Sequence, residues 1–420
     1  MNIKKISRAN GEITVPGDKS ISHRGVMLGA LANGVTEIDG FLSGADCLST
    51  IDCFRKMGIP ITIDGSHVTV HGQGLYGLEK PAETLYTGNS GTTTRLLCGI
   101  LAGQDFDTVI TGDASICKRP MKRVVAPLSE MGARIRGDYC PLYITGSKLH
   151  GMEYRMPVAS AQVKTSILLA GLYAEGQTVI HEPERSRNHT EFMLTAMGAD
   201  LKVQGNDILL TPGKELAPQN ISVPGDISSA AFFMVLAAIL PDSRITIRNV
   251  GINPTRTGIL DVFEAMGAEV KLQNIHTSAG EPAADITVSS SSLKGTVIGG
   301  DLIPRLIDEL PVIAVAALFA EGETVIKDAQ ELKVKETNRI RAVVDEFRKC
   351  GAEIEETEDG MVIQGGKMLH GADFCSYADH RMAMSLTVLA QLLEGESTLD
   401  DEQCVSISYP KYFEDFYSLA

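Results

Sequence analysis

The polar segments of this sequence share one feature: each carries cationic, hydroxyl or carboxylate residues where a helix is expected to begin. PGDKSISHR (16–24), TGNSGTTTR (87–95), VASAQVKTS (158–166), LIDELPVIA (306–314) and YADHRMAMS (377–385) occupy one register. ICKRPMKR (116–123), RSRNHTEF (185–192) and KVKETNRIR (333–341) occupy another. The first turn of a helix has free N–H groups and a partial positive charge, so it suits phosphate and carboxylate. Lys and Arg at such termini add charge-assisted hydrogen bonds, and several together would make an anion pocket. Taken alone, GNSGT is equally a capped turn and KRPMKR a solvated basic face. Asp308 stands in the otherwise apolar, helical-looking stretch IDELPVIAVAALF, where a buried carboxylate needs a partner or a task. Asp379 precedes His380 and Arg381 as a helix N-cap would.

The elements that position these residues repeat along the chain. GALANGVTEI (29–38), GILAGQDFDTVI (99–110), GLYAEGQTVI (171–180), AAILPDSRITI (237–247), AALFAEGETVI (316–326) and AQLLEGESTL (390–399) each read as helix, turn and short strand. KMGIPITI (56–63), EMGARIR (130–136), AMGADLKV (196–203), AMGAEVKL (265–272) and KCGAEIEE (349–356) interleave with them, a Gly stopping the helix before a strand. The two patterns together predict an α/β protein of six related units, each about 70 residues long. A longer echo, VPGDKSISHRGVMLGAL (15–31) against VPGDISSAAFFMVLAAI (223–239), places two inter-domain crossings near 15–19 and 223–227. One domain is then 18–225, and the other combines 1–17 with 226–420.

Composition narrows the function classes. A chain of 420 residues, 44% apolar and 22% charged, is expected to be globular, with two or three domains. No apolar run approaches the ~18 residues of a membrane span. MNIKKISRANGEITVPG has neither the apolar core of a signal peptide nor the Arg/Ser-rich character of a transit peptide, so a cytoplasmic protein is expected. Eight scattered cysteines without a CxxC pair read as reduced, core-filling thiols. His residues do not pair with Cys or Glu at ligand spacing, so no metal site is expected. A net charge of −15 opposes nucleic-acid binding yet permits a local basic pocket.

PGDKSISHR, GNSGTTTR, KRPM, SAQVK, VKETNR and DHRMAM, in this order and spacing, resemble the 5-enolpyruvylshikimate-3-phosphate (EPSP) synthases, or 3-phosphoshikimate 1-carboxyvinyltransferases, over essentially the whole chain. The resemblance implies two similar globular domains, each of three repeated βαβαββ-type units in an inside-out α/β barrel, with the active site in the inter-domain cleft. It implies transfer of the enolpyruvyl group of phosphoenolpyruvate to the 5-hydroxyl of shikimate 3-phosphate through a tetrahedral intermediate. No metal or organic cofactor, nucleic acid or membrane is implied; the protein would be a monomer and a target of glyphosate, which competes with phosphoenolpyruvate.

Carried over by motif, Lys19 would touch both substrates. Ser20, Arg24, Ser160, Ala161, Gln162, Ser186 and Arg187 would bind shikimate 3-phosphate, with Gln162 also reaching phosphoenolpyruvate. Gly91 through its N–H, Arg119, Arg339 and Arg381 would grip phosphoenolpyruvate. Asp308 would accept the hydroxyl proton, Lys335 would approach it, and Glu336 with Lys19 would handle the proton at C3. Ile407 stands where many members have a Lys, and Lys411 is not assigned that role. A UDP-N-acetylglucosamine enolpyruvyltransferase is the nearest rival, with Cys117 only two residues ahead of Arg119 against its loop cysteine. A non-catalytic anion-binding protein of two domains, or a relative of the RNA cyclases, is more distant.

Overall fold

The computed structural model describes residues 1–278 and 280–420. Each of the six helix–turn–strand segments folds as such. Helix Lys19–Leu31 leads to strand Asn33–Asp39, Gly91–Ala102 to Thr108–Thr111, and Ala161–Gly171 to Thr178–His181. Ile227–Ile239 leads likewise to Arg244–Gly251, Leu310–Leu318 to Glu323–Ile326, and His380–Leu389 to Thr398–Leu399. The interleaved pattern ends a second set of helices. Its glycines Gly58, Gly132, Gly198, Gly267 and Gly351 have φ between +78° and +95°, a left-handed conformation in which a Cβ is strained.

The strands form small mixed sheets, five of four strands and one of two among the described residues. In the sheet containing Thr108–Thr111, Leu85–Tyr86 pairs parallel to it and Leu142–Thr145 antiparallel, followed by Arg134–Arg136. The sheet of Glu323–Ile326 repeats this order with Val297–Ile298, Met361–Gln364 and Glu353–Glu356. A parallel pair needs a crossover, which the buried helix supplies, whereas the outer antiparallel pair, Arg134–Arg136 with Leu142–Thr145, closes by a hairpin.

The chain divides into two compact units, Met1–Pro16 with Pro224–His276 and Pro282–Ala420, and Gly17–Val223 with Thr277–Glu281. In the unit containing 17–223, helices Lys19–Leu31, Gly91–Ala102 and Ala161–Gly171 are buried along most of their length. Gly99 sets the approach of the last two: a Cβ there would lie 2.2 Å from the Ser166 carbonyl oxygen. In the other unit, every residue of Ile227–Ile239, Leu310–Leu318 and His380–Leu389 is buried. Helices apolar on all sides are stable only inside a core, and these three pack on one another. The second set lies outside: Arg339–Lys349 buries Ile340, Val343, Val344 and Phe347 along one stripe and turns Arg341, Arg348 and Lys349 outward, while Arg339 and Glu346 stay buried. No described helix is long and apolar enough to cross a membrane.

One local expectation fails. The stretch around Asp308 is not a single helix but two, Ile303–Leu306 and Leu310–Leu318, with Asp308 in the turn between them. Pro311 lacks the N–H that would bond the Ile307 carbonyl, and its ring crowds that turn. Asp308 is consequently half-buried, and the fully buried carboxylate is its neighbour Glu309, 1% exposed.

Candidate active site

In the unit containing 17–223, the starts of the buried helices carry the expected cations. Asp18 caps the first helix by accepting from the Ile21 N–H at 2.9 Å, which fixes Lys19 at its first residue. The Lys19 Nζ lies 2.7 Å from the Asp46 carboxylate. One turn on, Arg24 donates to Thr190 Oγ1 at 2.7 Å, to Thr165 Oγ1 at 3.1 Å and to the Ser20 carbonyl at 3.0 Å. All three acceptors are neutral. Burial lowers the guanidinium pKa to about 10, Glu191 and Asp18 oppose this, and Arg187 adds to it. Arg24 stays charged at neutral pH, but its setting disfavours that charge, and an anion beside it and Arg187 would be stabilising.

The loop carrying Ser186 and Arg187 is tied down from below. Lys164, with no exposed side-chain surface, lies 2.9 Å from Glu182 and 2.7 Å from Glu191. Glu182 in turn accepts from the Ser186 N–H at 3.2 Å and from the Ser186 hydroxyl. The Ser186 hydroxyl thus donates to Glu182 in this arrangement.

The second and third buried helices begin close together. Ser90 caps the second, accepting from the Thr93 N–H at 3.1 Å and presenting Gly91 as its first residue. Arg119 donates to Asn89 Oδ1 at 2.7 Å, beside that turn. Arg95 donates to Gln162 Oε1 at 2.6 Å while Gln162 donates to Thr92 Oγ1 at 3.1 Å, which fixes the amide's orientation. Ser160 holds the N-cap position of the third helix without a side-chain cap bond, and it and Ala161 are half-buried at its mouth. A Cβ on Gly91 would meet Arg95 Nη1 at 2.9 Å and Arg119 Nη1 at 3.4 Å, so a methyl there would push the Arg95 guanidinium aside and lie against that of Arg119.

The other unit gathers the remaining residues around Asp308. Lys335 Nζ and Arg339 Nη1 each lie 3.4 Å from its Oδ1, and Arg381 Nη2 lies 3.7 Å from its Oδ2. Arg339 is 1% exposed and also holds Glu336 at 2.6 Å and Asp379 at 2.8 Å. Burial works to lower the Arg339 pKa, but Asp379, then Glu336 and Asp308, outweigh it and raise it above the ordinary arginine value. Asp379 caps the His380–Leu389 helix as well, accepting from the Arg381 N–H at 2.9 Å. Three carboxylates thus stand against three cations, and an anion reaching Arg339 must compete with Glu336 for it. Ile407 is half-buried in a short 3-10 turn, and Lys411 is exposed.

Sequence reasoning missed the groups that aim these side chains. Asp46, Arg95, Lys164 and Glu182 hold Lys19, Gln162 and the Ser186 loop, and Asp379 does more than cap a helix. Arg95 lay inside the TGNSGTTTR segment and was legible as a cation at a helix start. Asp46 and Glu182 had no such signal, because the lysines they pair with, Lys19 and Lys164, are 27 and 18 residues away. His23 is a further buried group, bonded through Nδ1 to Thr50 Oγ1 at 2.7 Å. Its burial lowers the imidazole pKa to about 3, with Lys19 and Arg24 assisting and Asp46 opposing, so it is neutral.

Comparison with known proteins agrees with this arrangement. The family model for EPSP synthase (3-phosphoshikimate 1-carboxyvinyltransferase) matches residues 3–416. A 3-phosphoshikimate 1-carboxyvinyltransferase of Thermoanaerobacter sp. (strain X514) is 56% identical over 419 residues, covering 99% of each chain. One from Bacillus thuringiensis (strain Al Hakam) is 56% identical over 417 residues, covering 98% of this chain and 97% of the relative. The solved structure of EPSP synthase from Acinetobacter baumannii superposes with a TM-score of 0.89 at 46% identity, covering 100% of this chain and 98% of that one. The chain belongs to the EPSP synthase family and carries its activity, that of a 3-phosphoshikimate 1-carboxyvinyltransferase in the shikimate pathway of aromatic amino acid biosynthesis.

Proposed function

We propose that the chain performs its family's reaction with one set of residues for each substrate. Shikimate 3-phosphate is held by Lys19, Ser20, Arg24 and Arg187, with Ser160, Ala161 and Gln162 lining its ring and Lys335 near its hydroxyl. Phosphoenolpyruvate is held by the Gly91 N–H, Arg119, Arg339 and Arg381, with Lys19 and Gln162 reaching both. Ser186 belongs to the shikimate 3-phosphate set as well and anchors the Arg187 loop through Glu182. Asp308 takes the 5-hydroxyl proton as the oxygen bonds to C2 of phosphoenolpyruvate, and the C2–C3 electron pair takes a proton from Glu336 or Lys19. Loss of that proton from C3 restores the double bond and expels phosphate from C2. Arginine suits the grip, since its planar fork matches carboxylate and phosphate.

The two units are read as the domains 18–225 and 1–17 plus 226–420, built from repeated βαβαββ-type units as an inside-out α/β barrel. The protein is read as a cytoplasmic monomer. Eight free thiols support the compartment.

The observation that carries the reading is Arg24, a buried guanidinium with only neutral acceptors and Arg187 adding to its burden. Arg24→Met is expected to weaken shikimate 3-phosphate binding, measured by calorimetry, by roughly 10²-fold, as for a lost charge-assisted bond. Unchanged affinity in a folded variant overturns the assignment.

A further inference from the structure

The turn that delivers Asp379, His380 and Arg381 has a conformation its own residues resist. The Asp379 N–H bonds the Ser376 carbonyl at 3.0 Å, and the two residues between, Tyr377 and Ala378, have φ of +58° and +53°. Positive φ at both central positions is the primed turn that Asn-Gly favours, and a bulky side chain there is an outlier. Tyr-Ala holds it only under restraint from elsewhere.

The restraint comes from the helix that carries Arg339. Glu346, seven residues after Arg339 and fully buried, accepts from the Tyr377 hydroxyl at 2.9 Å through Oε1. Its Oε2 accepts from the Cys375 N–H at 2.9 Å and from Lys349 Nζ at 2.8 Å. Asp400 holds the intervening Ser376 N–H at 2.8 Å. One carboxylate thus grips the residue before the turn and the first of its two central residues. The same helix offers Arg339 to Asp379, two residues beyond Tyr377.

We propose that Glu346 and Tyr377 are positioning residues for phosphoenolpyruvate: their bond holds the strained turn that sets Arg381, and through Asp379 sets Arg339. Neither touches substrate. The inference rests on the assignment of Arg339 and Arg381 to phosphoenolpyruvate made above. Loss of the clamp lets the turn relax toward negative φ and draws the helix start with it, so the cost falls on one substrate and not on the other.

Steady-state kinetics of Tyr377→Phe, which removes only the hydroxyl, tests this with Ala378→Gly and the double variant. Tyr377→Phe is expected to raise the KM for phosphoenolpyruvate ~3–10-fold, with kcat and the KM for shikimate 3-phosphate within about two-fold of wild type. Adding Ala378→Gly, which removes the resistance at one strained position, is expected to restore most of that KM. General loosening would not be rescued in this way. Glu346→Gln supplies the same test should Tyr377→Phe lower the yield of folded protein. An unchanged phosphoenolpyruvate KM, equal rises in both KM values, or a failure of Ala378→Gly to rescue overturns the proposal. Arg381→Lys is measured beside them. If it raises the phosphoenolpyruvate KM and Tyr377→Phe does not, the clamp alone is wrong; if it leaves that KM unchanged, the substrate assignment falls and the clamp's role falls with it.

Discussion

Arg339 donates to the Asp379 carboxylate through both Nε, at 2.8 Å, and Nη2, at 3.2 Å, with neither side chain more than 1% exposed. Their contact joins the starts of two helices, Arg339–Lys349 and His380–Leu389. A forked pair of this kind fixes direction as well as distance. The same Nη2 also reaches Glu336 and Nη1 reaches Asp308, the two acids to which the proposed reaction assigns protons.

Removing one partner of that pair leaves a buried charge without its main counter-ion. Asp379→Ala is expected to cost ~3–5 kcal/mol of stability, since it also deletes the cap on the Arg381 N–H. Urea denaturation measures it. A loss under about 1 kcal/mol contradicts a central role for the pair.

Gly91 is the point where a single methyl reaches two guanidinium groups. Gly91→Ala is expected to displace Arg95 and crowd Arg119, to loosen Gln162, and to raise the phosphoenolpyruvate KM roughly 10-fold, with unfolding little changed. Arg95→Met is expected to give a smaller rise, because it frees Gln162 but leaves Arg119 in place. Steady-state kinetics with each substrate varied in turn checks both. A Gly91→Ala enzyme with an ordinary KM would mean that the arginines yield without consequence.

Histidines act on acid stability in opposite directions. His23 is held neutral, its pKa down near 3, so the unfolded chain binds a proton there below about pH 6.5 while the folded chain does not. Stability is therefore lost as pH falls from about 6.5 toward 3, by at most a few kcal/mol. The His67 pKa is raised, chiefly by its hydrogen bond to Asp39, and that of His181 by its hydrogen bond to Asp207. Their contributions are complete below the unfolded pKa and are lost as pH rises through the folded one. His23→Gln is expected to flatten the decline in unfolding free energy between pH 6.5 and 4. An unaltered slope would show that His23 does not carry it.

The organisation was legible because it is repeated. The LAxG and MG turns mark helix ends by local backbone chemistry, and the cations mark helix starts, so both can be read within a window of a few residues. Asp308 was misplaced in a helix because apolar periodicity outweighed a single proline. The network under the site was not legible for a different reason. Lys164 with Glu191, Arg95 with Gln162 and Tyr377 with Glu346 join segments 27 to 67 residues apart, and no local pattern announces such partners. Ser186 shows the same limit: its motif marks a candidate anion contact but does not announce its bond to Glu182.

The central claim is that Asp308 removes the proton from the attacking hydroxyl. The direct measurement is turnover of Asp308→Ala with both substrates saturating, alongside calorimetry of shikimate 3-phosphate binding to the same variant. The account predicts a fall in kcat of roughly 10²–10⁴-fold, the range for loss of a general base, with the affinity for shikimate 3-phosphate reduced no more than about ten-fold. A variant that binds shikimate 3-phosphate and turns over at near the wild-type rate contradicts it.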